Sequence, residues 1–178
     1  MITGHVFIAT SLDGFIARED GDIGWLLERD DPAEDHGYDR FIAGIDVIVM
    51  GRSTYEAIRN LNPWPCSRPV LVLSATLGPA DLPPDHAGKL RISSKSPQAA
   101  MAMLAVEGYR RAYVDGGRVI QSFLMAGLIA DMVITHVPIL LGRGRSLFGA
   151  SGPEIALIHE QSESFASGLV QSRYRVAA

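Results

Sequence analysis

Two short stretches join glycine to residues that can hold an anion. Gly51-Arg52-Ser53-Thr54 follows the apolar run Val47–Met50, and Asp115-Gly116-Gly117-Arg118 follows Ala112–Val114. In each, a strand-like run gives way to glycine and a helical stretch begins. Glycine lets backbone approach a ligand closely, and the first turn of a helix carries N–H groups with no partner inside it. Those donors, the positive end of the helix dipole and a planar guanidinium together suit phosphate. Taken singly, the first junction also reads as an ordinary strand–turn–helix with a solvated arginine, and the second as a tight turn. Two of them in one chain point to a diphosphate gripped from both sides. Neither the GxGxxG fingerprint nor a Walker loop is present. Ser74-Ala75-Thr76, after the apolar run Val70–Leu73, offers hydroxyls to the far end of a dinucleotide, or simply caps a strand exit.

The elements that must position these junctions follow from hydrophobic periodicity. Strands are expected at His5–Thr10, Val47–Met50, Val70–Leu73, Leu90–Ile92, Ala112–Asp115 and Met132–Val137. Helices are expected over Asp35–Ala43, Thr54–Arg59, Gln98–Glu107 and Val119–Met125. Ser96-Pro97 has the form of an N-cap and first-turn proline, and Gly108 that of a helix stop. Ile155–Glu160 and Leu169–Arg175 resemble a closing antiparallel pair. Between them, Arg18–Gly24 reads as a polar mobile loop, Arg29–Asp35 as an exposed acidic stretch, and Asn60–Pro69 and Gly78–Gly88 as proline-rich loops. The alternation predicts a single α/β domain over residues 1–178: a mostly parallel sheet with helices on both faces and an antiparallel end. Ligands of such sheets bind beyond the carboxyl ends of the strands. Here those ends are Ala9–Ser11, Met50–Thr54, Leu73–Thr76 and Asp115–Arg118.

Composition narrows the function. The net charge of −4 provides no overall field for nucleic acid, so an anionic ligand must be held locally. The single cysteine, Cys66, excludes an intrachain disulfide and any multi-cysteine metal site, and it suits a reducing compartment. The five histidines are scattered without metal-ligand spacing, so no metal is expected. Met1–Ser11 lacks the basic region and long apolar core of a signal peptide, and no apolar run is long enough to span a membrane. A cytoplasmic location is expected.

Four blocks, in this order and at these separations, resemble the dihydrofolate reductase superfamily: Ala9–Ala17 (ATSLDGFIA), Met50–Glu56 (MGRSTYE), Val72–Ser74 and Asp115–Ile120 (DGGRVI). The SLDGFIA segment, Asp131-Met132, Pro138–Gly142 and Leu147-Phe148 are similar to the riboflavin-pathway pyrimidine reductase branch. The resemblance covers essentially the whole chain. It implies a dihydrofolate-reductase-like three-layer fold and an NADPH-dependent reductase of a small heterocycle, similar to 5-amino-6-(5-phosphoribosylamino)uracil reductase. Reduction of a pterin or folate, and a non-catalytic NADPH-binding module, are the alternatives. Carried over by position, Ala9 and Ile16 would meet the nicotinamide. Gly51, Arg52, Ser53 and Thr54 would hold phosphates, with Arg52 favouring a 2′-phosphate. Leu73 and Ser74 would flank adenosine, and Gly116, Gly117, Arg118, Val119 and Ile120 would bind the pyrophosphate.

The substrate side is less sharply marked. Asp35 would be the carboxylate by which folate reducers grip a pterin, or part of a solvated acidic face. Asp13, beside the expected nicotinamide site, would anchor a substrate ring or ribityl group, or shape its turn. Asp13 and Asp35 are the candidate catalytic residues, and Ser11, next to Asp13, is a candidate substrate-binding residue. Trp25, Tyr38 and Phe41 would line a flat-ring pocket or belong to the core. Arg143 and Arg145, between glycines, would hold a substrate phosphate or form a basic surface loop. The branch is often fused to a zinc deaminase, whose motifs are not found here. Apolar residues in the C-terminal strands, and the dimers of the branch, suggest a homodimer.

Overall fold

Strands form where β-branched and apolar residues run together, because burial on both faces removes any need for a polar side. In a computed structural model, which describes residues 1–78, 81–82, 88–149 and 152–177, eight strands build one sheet. They are β1 (Thr3–Ser11), β3 (Val47–Gly51), β4 (Val70–Leu73), β5 (Leu90–Ser93), β6 (Arg111–Asp115), β7 (Ile129–Val137), β9 (Leu157–Ser164) and β10 (Val170–Val176), in the order β5-β4-β3-β6-β1-β7-β10-β9. The first six run parallel; β10 is antiparallel to β7 and β9 antiparallel to β10. The expected mostly parallel sheet with an antiparallel end is thus observed. Most of the loop Gly78–Gly88 lies outside the described residues.

Alternation along the strands divides the core. Val47 and Val49 point to one face, where Ala100, Met101 and Leu104 of α4 (Pro97–Val106) and Ile120 and Phe123 of α5 (Gly117–Met125) cover them. Ile48 and Met50 point to the other, under Ile42 of α2 (Tyr38–Ala43) and Tyr55 of α3 (Arg52–Ile58). Each fully buried side chain of this size stabilises the fold by about 1.5–3 kcal/mol. Ser96 caps α4 as expected, its Oγ accepting the Ala99 N–H at 3.3 Å.

Several boundaries move for local reasons. Helix α2 starts at Tyr38, not Asp35, because the Asp35 carboxylate accepts the Gly37 N–H (2.7 Å) and Gly37 adopts φ +79°, which makes a turn there. Helix α3 starts earlier than expected, at Arg52 directly after Gly51. Two pieces had no sequence signal. The four-residue helix α1 (Gly24–Leu27) begins where the expected loop Arg18–Gly24 ends, in a stretch that reads only as apolar surface, and β2 (Phe15–Ala17) pairs with β8 (Arg145–Ser146) in a separate ribbon. Arg145 is therefore part of a strand, with its Nε–H donating to the Glu19 carbonyl (3.3 Å). At the amino-terminal end of the sheet, Asp46 accepts the Arg110 and Arg111 N–H groups (2.8 and 2.9 Å), and buried His5 pairs with Asp131 (2.8 Å).

Candidate active site

Strands β4, β3, β6 and β1 are neighbours and parallel, so their carboxyl ends share one edge of the sheet. Met50 stands opposite Asp115 in the β3–β6 ladder, which sets the two glycine junctions side by side. They interlock. A Cβ at Gly51 would lie 3.0 Å from Val119 Cγ2, and one at Gly116 would lie 2.5 Å from Thr54 Oγ1. One at Gly117 would meet the Ser146 carbonyl at 2.8 Å and Ile16 Cδ1 at 3.1 Å. Gly116 also adopts φ +91°, a conformation that side chains disfavour. The amino termini of α3 and α5 therefore lie side by side, with Thr54, Val119, Ile16 and the Ser146 carbonyl packed against the glycines, and their shared edge is the candidate cradle.

Arg52 leans across the rim of this cradle. Its Nε–H donates to Glu56 (2.7 Å) and an Nη1–H to Thr76 Oγ1 (2.9 Å), so the guanidinium is aimed toward the exit of β4. Leu73 ends that strand. Ser74 Oγ accepts the Thr76 and Leu77 N–H groups (3.2 and 3.0 Å), so the hydroxyl builds its own turn. Ser53 and Arg118 are exposed beside the junctions. Val119 and Ile120 are core residues, and the Ile120 N–H is taken by the Gly116 carbonyl (2.9 Å). Neither side chain can reach a ligand, and Ile120 has no backbone donor left to offer.

A cavity of about 280 Å³ opens beside Ala9. Its walls are Phe7 and Ala9 of β1, Leu26 and Leu27 of α1, Asp30, His36, Tyr38, Thr135 and Leu169. Of the aromatic residues expected to line a pocket, Tyr38 does so. Phe41 stands behind the wall, its ring 5.1 Å from Phe7 and edge-on to Tyr113 at 5.2 Å. Trp25 is 2% exposed and packs with Val137 and Leu169; its neighbours Leu26 and Leu27 face the cavity instead. Asp35 is exposed and serves the turn before α2. The Asp13 carboxylate accepts the Ser11 hydroxyl (2.6 Å) and the Leu141 and Gly142 N–H groups (3.1 and 2.7 Å), which hold it below the usual carboxylate range. Buried Ser11 in turn accepts the Phe15 N–H (3.0 Å). This pair fastens the SLDG turn to the loop after β7; the turn-shaping alternative describes its geometry. Arg143 is 83% exposed on a second depression lined by Arg18, Glu19, Asp20 and Leu141.

Two features escaped the sequence reading. Asp115, at the tip of β6, is surrounded by protein while keeping part of its surface open; burial pushes its carboxyl up to about 6 against a donated Gly116 N–H (2.8 Å). Tyr113, Cys66 and Tyr38 crowd the same spot, and burial pushes the Cys66 thiol up to about 11. An aspartate between an apolar strand and Gly-Gly was the available signal. The second feature is His36, held between Asp30 (3.5 Å) and Glu34 (3.2 Å) and edge-on to Phe165 at 4.6 Å. Glu34 accepts the Ser167 N–H (2.8 Å) and hydroxyl, and Gln171 Nε2–H donates to the His36 carbonyl (3.1 Å) and Thr135 Oγ1 (3.0 Å). These bonds tie the acidic segment to the β9–β10 hairpin, through partners far away in sequence. Among the described residues no cluster of three metal-ligating side chains occurs, and no helix is long and apolar enough to cross a membrane.

A mostly parallel sheet closed by an antiparallel end, with glycine junctions at its carboxyl edge and a cavity beside Ala9, defines an α/β protein with its candidate site at that edge. Residues 3–171 match the RibD C-terminal domain family, and the chain belongs to that family. It is 33% identical to the uncharacterized protein YwjB of Bacillus subtilis (strain 168) over 144 residues, 80% of each chain. It is 27% identical to the uncharacterized YyaP of the same organism over 180 residues, covering 94% of this chain and 91% of that one. Among solved structures it resembles a Shewanella sp. PV-4 protein named as a candidate in riboflavin biosynthesis, with TM-score 0.92, 36% identity and coverage of 99% and 100%. The deaminase/5-amino-6-(5-phosphoribosylamino)uracil reductase of Thermotoga maritima shares the fold (TM-score 0.70, 15% identity); 99% of this chain covers 57% of that one. The fold and family expected from the sequence are thereby established.

Proposed function

We propose that the protein is an NADPH-dependent reductase of a small heterocyclic substrate. The observation that carries this reading is the pair of interlocked glycine junctions beside a ring-sized cavity. The junctions at Gly51 and at Gly116-Gly117 are where a diphosphate would sit, because they bring the amino termini of α3 and α5 side by side at the carboxyl edge of the sheet. Arg52, positioned by Glu56 and Thr76, is the group that would meet a 2′-phosphate at the adenosine end. Ala9 and Ile16 flank the other end, next to the cavity. A dihydronicotinamide bound there supplies a hydride.

The chain's own contribution is positioning, exclusion of water and a proton. Phe7, Ala9, Leu26 and Leu169 provide an apolar wall. Asp115 is the proton source we propose: it ends β6 directly before Gly116, close enough for its charge to act on Tyr38 of the cavity wall, and burial raises its carboxyl to about 6. Asp115 would give its proton to the substrate heteroatom as the double bond is reduced, and its carboxylate would regain one from solvent. Asp13, whose oxygens are already engaged, holds the neighbouring turn.

The test is calorimetric titration with NADPH and NADH, followed by loss of dihydronicotinamide absorbance with a panel of pyrimidines and pterins. Tight, NADPH-selective binding with turnover of a panel member is expected. Absence of NADPH binding at about millimolar concentration overturns the reading.

A further inference from the structure

We infer that the substrate cavity is built for an uncharged or cationic planar heterocycle and selects against a phosphorylated one. This rests on the reductase reading above and names the substrate class of its site.

The argument is one of charge. The titratable walls of the cavity are Asp30, His36 and Tyr38, and His36 is clasped between Asp30 and Glu34. Asp30 and Glu34 set two carboxylates against the one imidazole, so the three together carry net negative charge in either form of His36. The remaining wall residues are Phe7, Ala9, Leu26, Leu27, Thr135 and Leu169, none of which bears positive charge. A phosphate dianion entering here meets like charge and gains no guanidinium or ammonium partner, although desolvating it demands one.

No arginine or lysine lines the cavity, and Arg29, next to Asp30 in the chain, donates to the Trp25 carbonyl (2.8 Å) and lies beside Glu28. The chain has two lysines, Lys89 and Lys95, and both flank β5, at the opposite edge of the sheet from β7. The residues outside the described set include no lysine or arginine. The cavity's size, about 280 Å³, sits at the small end for ligand pockets and favours a ring over a ring bearing a sugar phosphate. A substrate of the kind in the Thermotoga protein's name, a phosphoribosylaminouracil, is the class this wall disfavours.

The experiment compares three probes on protein saturated with NADP⁺, by calorimetry: protonated 2,4-diaminopyrimidine, 5-amino-6-ribosylaminouracil, and the 5′-phosphate of that riboside. We expect the diaminopyrimidine and the riboside each to bind at least about tenfold tighter than the phosphate. In Asp30→Lys, with the exposed wall carboxylate reversed in sign, the riboside-to-phosphate ratio should shift by about tenfold toward the phosphate, while the diaminopyrimidine loses affinity. Asp30→Asn, a milder change, should shift both in the same directions. Equal binding of all three probes, binding of none, or preference for the phosphate overturns the inference. NADP⁺ saturation is measured first, so its failure reports on the reductase reading, whereas a phosphate preference on saturated protein refutes the substrate class alone.

Discussion

Thr54 closes on Gly116: a methyl group added to the glycine would stand 2.5 Å from the threonine hydroxyl oxygen. The two junctions are thus one device, in which α3 sets the path of the backbone that opens α5. Gly116→Ala must push Thr54 aside and adopt φ +91° with a side chain, a strain of about 1–3 kcal/mol. The expected result is a lower Tm and at least about tenfold weaker NADPH binding, since the amides lose their aim. Thermal melting and calorimetry check both.

Arg52→Ala should separate the two nicotinamide coenzymes. Removing a charge-assisted hydrogen bond costs about 1.5–3 kcal/mol, so NADPH affinity should fall about 10- to 100-fold while NADH affinity changes little. Equal losses would mean that Arg52 meets no 2′-phosphate.

Asp115 makes pH the variable. Unfolded, its carboxyl ionises near 3.8; folded, near 6. Between those values the folded chain holds more protons, so stability declines as pH rises through the window and stays lower above it. Asp115→Asn should therefore be more stable than the parent at about pH 8, with the difference closing below about pH 4. As a proton source, Asp115 should make kcat/KM fall as pH rises above about 6, and its asparagine variant should lose about 100-fold in kcat with a flattened profile.

Glu34→Ala releases Ser167 and leaves His36 with one carboxylate partner. Because Glu34 accepts the Ser167 hydrogen bonds that hold it below the usual carboxylate range, its hold is present above that range and lost as pH falls through it. Loosening the cavity wall should raise KM for substrate and leave NADPH binding unchanged, which steady-state kinetics and calorimetry resolve.

Strand β9 presents eight consecutive exposed residues at the sheet's edge, with Leu157 and Ile158 among them. An open edge of this length invites a second copy. Light scattering should report a dimer, and Ile158→Lys should shift it toward monomer.

The strands were legible because Val47–Met50 and Val70–Leu73 are buried on both faces, and such runs have few alternatives. The two strand-to-helix junctions were legible because an apolar run ending in glycine marks where a strand stops, at Gly51 before α3 and Gly116 before α5. The substrate wall was not. Leu26 faces the cavity while Trp25 beside it is buried, a distinction decided by a one-turn helix that carries no capping signal. The clasp on His36 depends on Ser167 and Gln171, more than a hundred residues away, and no local pattern announces such a meeting. Val119 and Ile120 stand in a motif that resembles a binding loop, and their side chains also fill the interior, a second role the motif does not announce.

The pinning interactions at the far end of the sheet, Asp46 to the Arg110 and Arg111 amides and His5 to Asp131, share no residue with the cavity. Architecture and chemistry occupy opposite poles of the molecule. Diversifying residues 26–30 and 36 to broaden the range of accepted rings thus leaves that anchorage intact, which makes this scaffold a practical starting point for building biocatalysts.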